Sequence, residues 1–261
     1  MSTAVTVVAI HGSPGGPRSW DDVRAAVAET GSAAGTAIDF LTPTLPGHDG
    51  SGPVGNRHLD LVGRAATIPA IDGPTVLVGY SYGGVVATMA AADPPRRVDA
   101  LVLLEPVLLT ALPADAEPAM AGRAGLLRYR ERAEAGDPAA IGLLVDLWYG
   151  AGTWDGMTDR LQAYLTAATP TNLEDLRAML ATPIDLGSVA SRSIPTTVVI
   201  GTASPPPLPG ICDAVVDAIP TASLGRIEGA NHAMLETHPV EVAAVIARAV
   251  AAVVANPDRA D

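Results

Sequence analysis

Thr75-Val76-Leu77-Val78-Gly79-Tyr80-Ser81-Tyr82-Gly83-Gly84-Val85-Val86-Ala87 starts as an apolar run rich in valine and ends in small helix-forming residues. Between the two lies Gly-x-Ser-x-Gly, with Ser81 at its centre. A serine on a sharp strand-to-helix turn is held at strained backbone angles, with its hydroxyl pushed clear of the chain. Glycines two residues either side let strand and helix approach without an intervening side chain. The helix start beyond adds backbone N–H donors and positive dipole character beside the hydroxyl. These are the surroundings of an activated nucleophile. A Gly-x-Ser-x-Gly alone also fits an ordinary glycine-rich turn in a chain with 26 glycines. Here a buried strand precedes it and a helix follows, as the chemistry requires.

Outward from this stretch the pattern alternates. Residues 5–10 (Val-Thr-Val-Val-Ala-Ile) read as a buried parallel strand and stop at the loop His11-Gly12-Ser13-Pro14-Gly15-Gly16-Pro17. Ser19 is placed to cap a helix running to about Thr30. A short strand is expected at 37–41, a loop at 44–52 and a helix at 57–69. The strand at 100–104 ends in Glu105-Pro106. From 107 to 193 helical segments replace strands, near 119–134, 138–149, 157–168 and 172–180. Strand character returns at 196–201, followed by a proline-rich loop, a helix to Ile219 and a last strand at 223–227. The loop Gly229-Ala230-Asn231-His232-Ala233 precedes a strong C-terminal helix at 239–255, with Pro239 in its first turn.

Strands alternating with helices imply a parallel sheet, and such sheets bind ligands beyond the carboxyl ends of their strands. His11, Ser81, Glu105 and His232 all fall just after apolar strands. They are therefore expected to meet at one edge despite their separation along the chain.

Composition narrows the partners. The 261 residues suffice for one large α/β domain or two small ones, and 48% apolar content supplies a core. The formal charge of −12 argues against nucleic acid and anionic membranes as partners. The single Cys212 excludes an internal disulfide and reads as a buried helix residue. The apolar run at 5–10 is too short for a signal or a span, and no later run reaches 18 residues, so a cytoplasmic location is expected. The oligomeric state is left open.

Several of these features together resemble the α/β-hydrolase fold. They are the His11-Gly12 loop with Trp20 downstream, Pro46-Gly47-His48-Asp49-Gly50-Ser51, the Gly79–Gly84 elbow, and Gly229-Ala230-Asn231-His232. The resemblance implies an α/β fold: a mostly parallel sheet with helices on both faces and a helical cap inserted after the strand ending at Glu105. It divides the chain into a core at 1–106 and 194–261 and a cap at 107–193, with the family's first hairpin expected to be absent. It implies Ser81 as nucleophile and His232 as base. Backbone N–H groups of Ser13 and Tyr82 would form the oxyanion hole. Among the other histidines, His238 and His58 are expected at the surface or on a helix face, and His48 as a loop-shaping residue.

The acid is where the sequence departs from the pattern. The family usually places an aspartate shortly beyond Gly201, where this chain has Thr202-Ala203-Ser204-Pro205. Glu105 is assigned to orient His232, a lone carboxylate on an apolar strand needing a partner. Asp213, or no working acid, stand as competing readings. For the substrate pocket, His11, Trp148, Tyr149 and Trp154 are candidates, although His11 also fits a loop-holding role. The aromatics of the helical segment, Tyr129 and Tyr164 included, divide between cap core and pocket wall. The expected activity is that of a cofactor-free, metal-free serine hydrolase cleaving an ester, lactone or thioester of a small, largely apolar molecule. A C–C bond hydrolase, lyase or biosynthetic cyclase, or a non-catalytic ligand-binding relic, are the alternatives.

Overall fold

A computed structural model describes residues 4–34, 36–49 and 60–256. Its centre is a six-stranded sheet: β1 (Val5–Ile10), β2 (Ile38–Leu41), β3 (Thr75–Tyr80), β4 (Ala100–Leu104), β5 (Thr196–Gly201) and β6 (Ala222–Ile227). The spatial order is β2-β1-β3-β4-β5-β6, and every pairing is parallel. The two strands that are apolar at almost every position, β3 and β4, are central and buried throughout. The more polar β2 and β6 take the edges, where one side of the strand faces solvent.

Alternate residues of each strand feed two separate cores, as the two-residue period of a strand requires. Val76, Val78, Val102 and Leu104 pack with Trp20 and with helices α1 (Asp21–Ala34) and α11 (Pro239–Ala255) on one face. Leu77, Leu101, Leu103 and Val198 pack on the other face. There they meet α3 (Tyr82–Ala92) and α9 (Leu208–Ala218), the latter carrying the buried Cys212. The same core continues into α4 (Glu117–Glu134), α5 (Ala140–Tyr149) and α7 (Asp159–Ala181), which lie in sequence between β4 and β5. Among the described residues no helix is long and apolar enough to cross a membrane.

The structure adjusts several expected boundaries. A 3-10 turn at Pro17–Trp20 precedes α1, and Ser19 donates to the carbonyl of Gly16 at 2.8 Å instead of capping. Pro17, with its preset φ, starts the turn early, and the helix begins at Asp21. It runs on to Ala34, because Gly31 breaks a helix only if it turns left-handed. In the expected 57–69 helix, α2 covers Leu61–Ala66, capped by Asp60, whose carboxylate accepts from the Gly63 N–H at 2.8 Å. His58 lies outside the described residues.

The two helices expected at 157–168 and 172–180 are one, α7, with Pro170 inside it. Proline removes one N–H from the ladder, but Leu165, Leu173 and Leu176 are buried on either side of it, and that packing carries the helix through. Short helices α6 (Thr153–Gly156), α8 (Leu186–Ser191) and α10 (Met234–Thr237) have too few residues to show a period in the sequence.

One glycine fixes how closely α3 sits on the sheet. A Cβ on Gly83 would lie 2.2 Å from the Ile10 carbonyl oxygen, and backbone cannot yield as a side chain does. Gly83→Ala is therefore expected to destabilise the fold by about 3 kcal/mol or more, read as a lowered urea midpoint. A midpoint within experimental error of wild type would contradict the close approach.

Candidate active site

Ser81 stands between the last residue of β3 and the first of α3. Its backbone has φ 55° and ψ −122°, a positive φ that a β-substituted residue seldom adopts. Its carbonyl accepts from the Gly84 N–H at 2.9 Å, and its N–H donates to the Leu104 carbonyl at 3.0 Å. Both ties anchor the turn, so the side chain is left to point off the end of the sheet.

His232 comes from the loop beyond β6 and places Nε2 2.9 Å from Ser81 Oγ. Its Nδ1 lies 2.7 Å from Glu105 Oε2. The carboxylate can only accept, so Nδ1 carries the proton and the Nε2 lone pair faces the serine. All three are buried, Ser81 at 6%, His232 at 1% and Glu105 at 0% exposure, so the charges they exchange are poorly screened by water. Glu105 itself has a positive φ of 42°, directly after β4. Its other oxygen accepts from the Gly201 N–H at 2.8 Å and from the Ser204 hydroxyl. Asp213, the competing carboxylate, is solvent-exposed on α9.

Aromatic rings wall in the imidazole. Tyr149 lies edge-on with centroids 5.1 Å apart, Tyr80 at 5.2 Å and Trp148 at 6.2 Å. The Tyr80 hydroxyl donates to the His232 carbonyl, fixing the loop that carries the ring. Burial raises the Tyr80 phenol well above its ordinary range, so it remains a donor.

Ser13 and Tyr82, the residues expected to offer backbone N–H groups, share a cavity lining with Ser81. Tyr82 opens α3, where no preceding helical turn supplies an acceptor, and among the described residues the Ser13 N–H has none either. The loop carrying Ser13 is held from both directions. His11 is fully buried; its Nδ1–H donates to the Gly12 carbonyl at 2.8 Å, and its Nε2 accepts from the Leu45 N–H at 3.1 Å. From above, Asn172 on α7 donates to Ser13 Oγ at 2.9 Å and accepts from the Tyr129 hydroxyl at 2.6 Å. One turn along, Asp175 sits 2.7 Å from His48 Nε2 and 2.5 Å from an Arg64 nitrogen, all three buried.

The His11 arrangement has a consequence for stability. Burial, the largest cause, lowers its pKa from 6.5 to about 4. The unfolded chain then binds a proton that the folded chain refuses. Stability is thus fully present above pH 6.5 and declines as the pH falls from 6.5 towards 4, by up to about 3 kcal/mol. Urea midpoints of wild type are expected to fall across this window, with a smaller slope in His11→Asn. Equal slopes would remove His11 as the cause.

A cavity of about 560 Å³ opens above Ser81 and His232, walled mainly by Leu144, Trp148, Tyr149, Met157 and Tyr164. A second, of about 30 Å³, adjoins Ser81 on the Ser13 and Tyr82 side. Trp148 and Tyr149 line the larger cavity, and so does Tyr164. Two pocket candidates do not. His11 is absent from both cavity walls, being occupied in holding loops. Trp154 packs on Gly142 of α5, its ring 2.8 Å from where a Cβ would stand, and likewise lines neither cavity. Tyr129 is fully buried between helices. Among the described residues no group of three or more histidine, cysteine or acidic side chains could hold a metal.

Residues 7–245 match the sequence model of the alpha/beta hydrolase family. The chain belongs to that family. Its fold is similar to that of a bromoperoxidase from Bacillus anthracis, with TM-score 0.74 at 19% identity over 96% of this chain and 93% of that one. It is also similar to an esterase from Exiguobacterium antarcticum, with TM-score 0.72 at 14% identity over 96% and 93% of the two chains. Identities this low establish the shared fold alone. A stretch of 37 residues is 57% identical to Lipase LipV of Mycobacterium tuberculosis, covering 14% of each protein.

Within this alpha/beta hydrolase, sequence reasoning missed four contributors. Ser204 occupies the segment where a carboxylate is lacking after Gly201, and its hydroxyl holds Glu105 instead. Tyr80, the first variable residue of Gly-x-Ser-x-Gly, was available to inspection as a polar group ending a buried strand. Asn172 and Asp175 sit on a helix without any sequence signal for what lies beneath it.

Proposed function

We propose that this alpha/beta hydrolase is a cofactor-free serine hydrolase that cleaves an ester, lactone or thioester of a small, largely apolar molecule. The reading is carried by one observation: Ser81 Oγ, both nitrogens of the His232 ring and Glu105 Oε2 form a continuous line at 2.9 and 2.7 Å. Ser81 attacks the carbonyl carbon as its proton passes to His232 Nε2. Glu105 keeps the proton on Nδ1 and stabilises the imidazolium that forms. The Ser13 and Tyr82 N–H groups donate hydrogen bonds to the carbonyl oxygen as charge builds on it, each worth about 3–4 kcal/mol in comparable sites. His232 then protonates the leaving oxygen or sulfur, and later deprotonates the water that hydrolyses the acyl-enzyme.

Supporting it, the short match to a lipase points the same way. A serine at position 81 disfavours the aspartate-dependent epoxide hydrolase and dehalogenase reactions of this fold. In this reading the helices at 107–193 act as a cap that supplies the substrate pocket.

The test is incubation with a fluorophosphonate and peptide mapping, together with pre-steady-state hydrolysis of an aryl ester. A single adduct on Ser81 and a burst of phenol are expected. An unmodified Ser81 peptide would overturn the reading.

A further inference from the structure

Two cavities meet at Ser81, and they differ in size and in which catalytic group they reach. The larger, of about 560 Å³, is lined by both Ser81 and His232. The smaller, of about 30 Å³, is lined by Ser81, Ser13 and Tyr82 but not by His232. We propose that they divide an ester at its scissile bond: a short acyl group, of acetyl size, in the small cavity, and a bulky apolar alcohol in the large one. The proposal rests on the serine-hydrolase reading above and makes this protein a short-chain acyl esterase of large apolar alcohols.

The assignment follows from the path of the proton. Ser81 Oγ bonds to the carbonyl carbon and its proton goes to His232 Nε2. The carbon–oxygen bond to the alcohol then breaks, and that same proton passes to the departing oxygen. The departing oxygen must therefore lie within hydrogen-bond reach of Nε2, in the cavity His232 lines. The acyl group stays on Ser81 and points away from the base, towards the small cavity. The space vacated by the alcohol admits the water of the second step beside His232.

Size then sets the chain length. A space of about 30 Å³ takes about two water-sized groups, one of them the carbonyl oxygen held by the Ser13 and Tyr82 N–H groups, which leaves room for the methyl of an acetyl group. Val107, Leu126, Leu144, Leu176 and Met179 give it an apolar lining that suits a methyl group. Asp175 also lines it, and the hydroxyl of Tyr82, another lining residue, is buried with no hydrogen-bond partner among the described residues. A long methylene chain driven deeper would lie against these groups. Nor can the wall withdraw easily. α7 is tied down at Thr171 to the Gly47 carbonyl at 3.1 Å, at Asn172 to Ser13 at 2.9 Å and at Asp175 to His48 at 2.7 Å. The large cavity, by contrast, is walled mainly by aliphatic and aromatic side chains and has room for a fused ring.

The test uses the full chain and five esters: 1-naphthyl acetate, butyrate and octanoate, and the isomeric pair octyl acetate and ethyl octanoate. We expect kcat/KM for naphthyl acetate to exceed that for naphthyl octanoate by about 100-fold or more, and octyl acetate to outrun its isomer ethyl octanoate, since each misfit methylene is worth about tenfold or more. Met179→Ala, or the milder Leu176→Val, should raise the naphthyl butyrate-to-acetate ratio by about tenfold. Naphthyl octanoate turnover equal to or above naphthyl acetate, or ethyl octanoate outrunning octyl acetate, would reverse the assignment while leaving serine hydrolysis intact. Failure of a fluorophosphonate to label Ser81 would instead remove both.

Discussion

Ser81→Ala is expected to abolish fluorophosphonate labelling and to lower ester turnover by about 10⁵- to 10⁶-fold in kcat, the loss seen when a serine nucleophile of this kind is removed. The residual rate would come from the two backbone N–H groups and from substrate binding, neither of which uses the side chain of residue 81. The fold should survive. Alanine keeps the Cβ that serine already carries at φ 55°, so the strain of the turn is unchanged. The Oγ donates to nothing else in the described structure, so its removal leaves only the His232 Nε2 lone pair unmatched. Circular dichroism and the thermal midpoint should therefore match wild type closely while turnover vanishes. A mutant that retained more than about a hundredth of the activity would locate the attacking group elsewhere.

Glu105→Gln should cost about 10⁴-fold in kcat with little change in KM, and for an electronic reason. The carboxylate accepts at both oxygens: from His232 Nδ1 on one side, and from the Gly201 N–H and Ser204 hydroxyl on the other. A glutamine has one acceptor oxygen. The Gly201 N–H cannot turn away, so the amide oxygen stays on that side and the NH₂ group faces the imidazole. His232 must then move its proton to Nε2, where it points at the serine as a donor and cannot take a proton from it. The labelling rate with fluorophosphonate should fall in parallel, because it needs the same base. A fall below about tenfold would mean that Glu105 only packs, and that the competing readings of the acid deserve return.

Much of this arrangement was legible along the chain, for a local reason. Whether a run of residues becomes a strand or a helix depends on side-chain period and backbone chemistry within a few positions. The β-branched run before Gly79 and the glycines around Ser81 belong to that class, and so does Pro239 at the head of the last helix. Parallel strand order then sends every loop that follows a strand to the same edge, which is why Ser81, Glu105 and His232 could be grouped without coordinates. Pro170 misled for the complementary reason. Its local cost is real, but the leucines on both sides of it are buried by residues far away in sequence.

The sequence by itself determined the parallel α/β architecture, the strained serine and the histidine that follows the last strand, because each is written in neighbouring residues. Only the tertiary structure decided that Glu105 rather than Asp213 meets His232, that Ser204 steadies it, and that His11 and Trp154 stay out of the pocket. The tertiary structure alone also set one side of Ser81 wide and the other narrow. Those outcomes turn on how far apart packed helices come to rest, through contacts such as Asp175 with His48 that span more than a hundred residues. No local pattern encodes a distance of that kind.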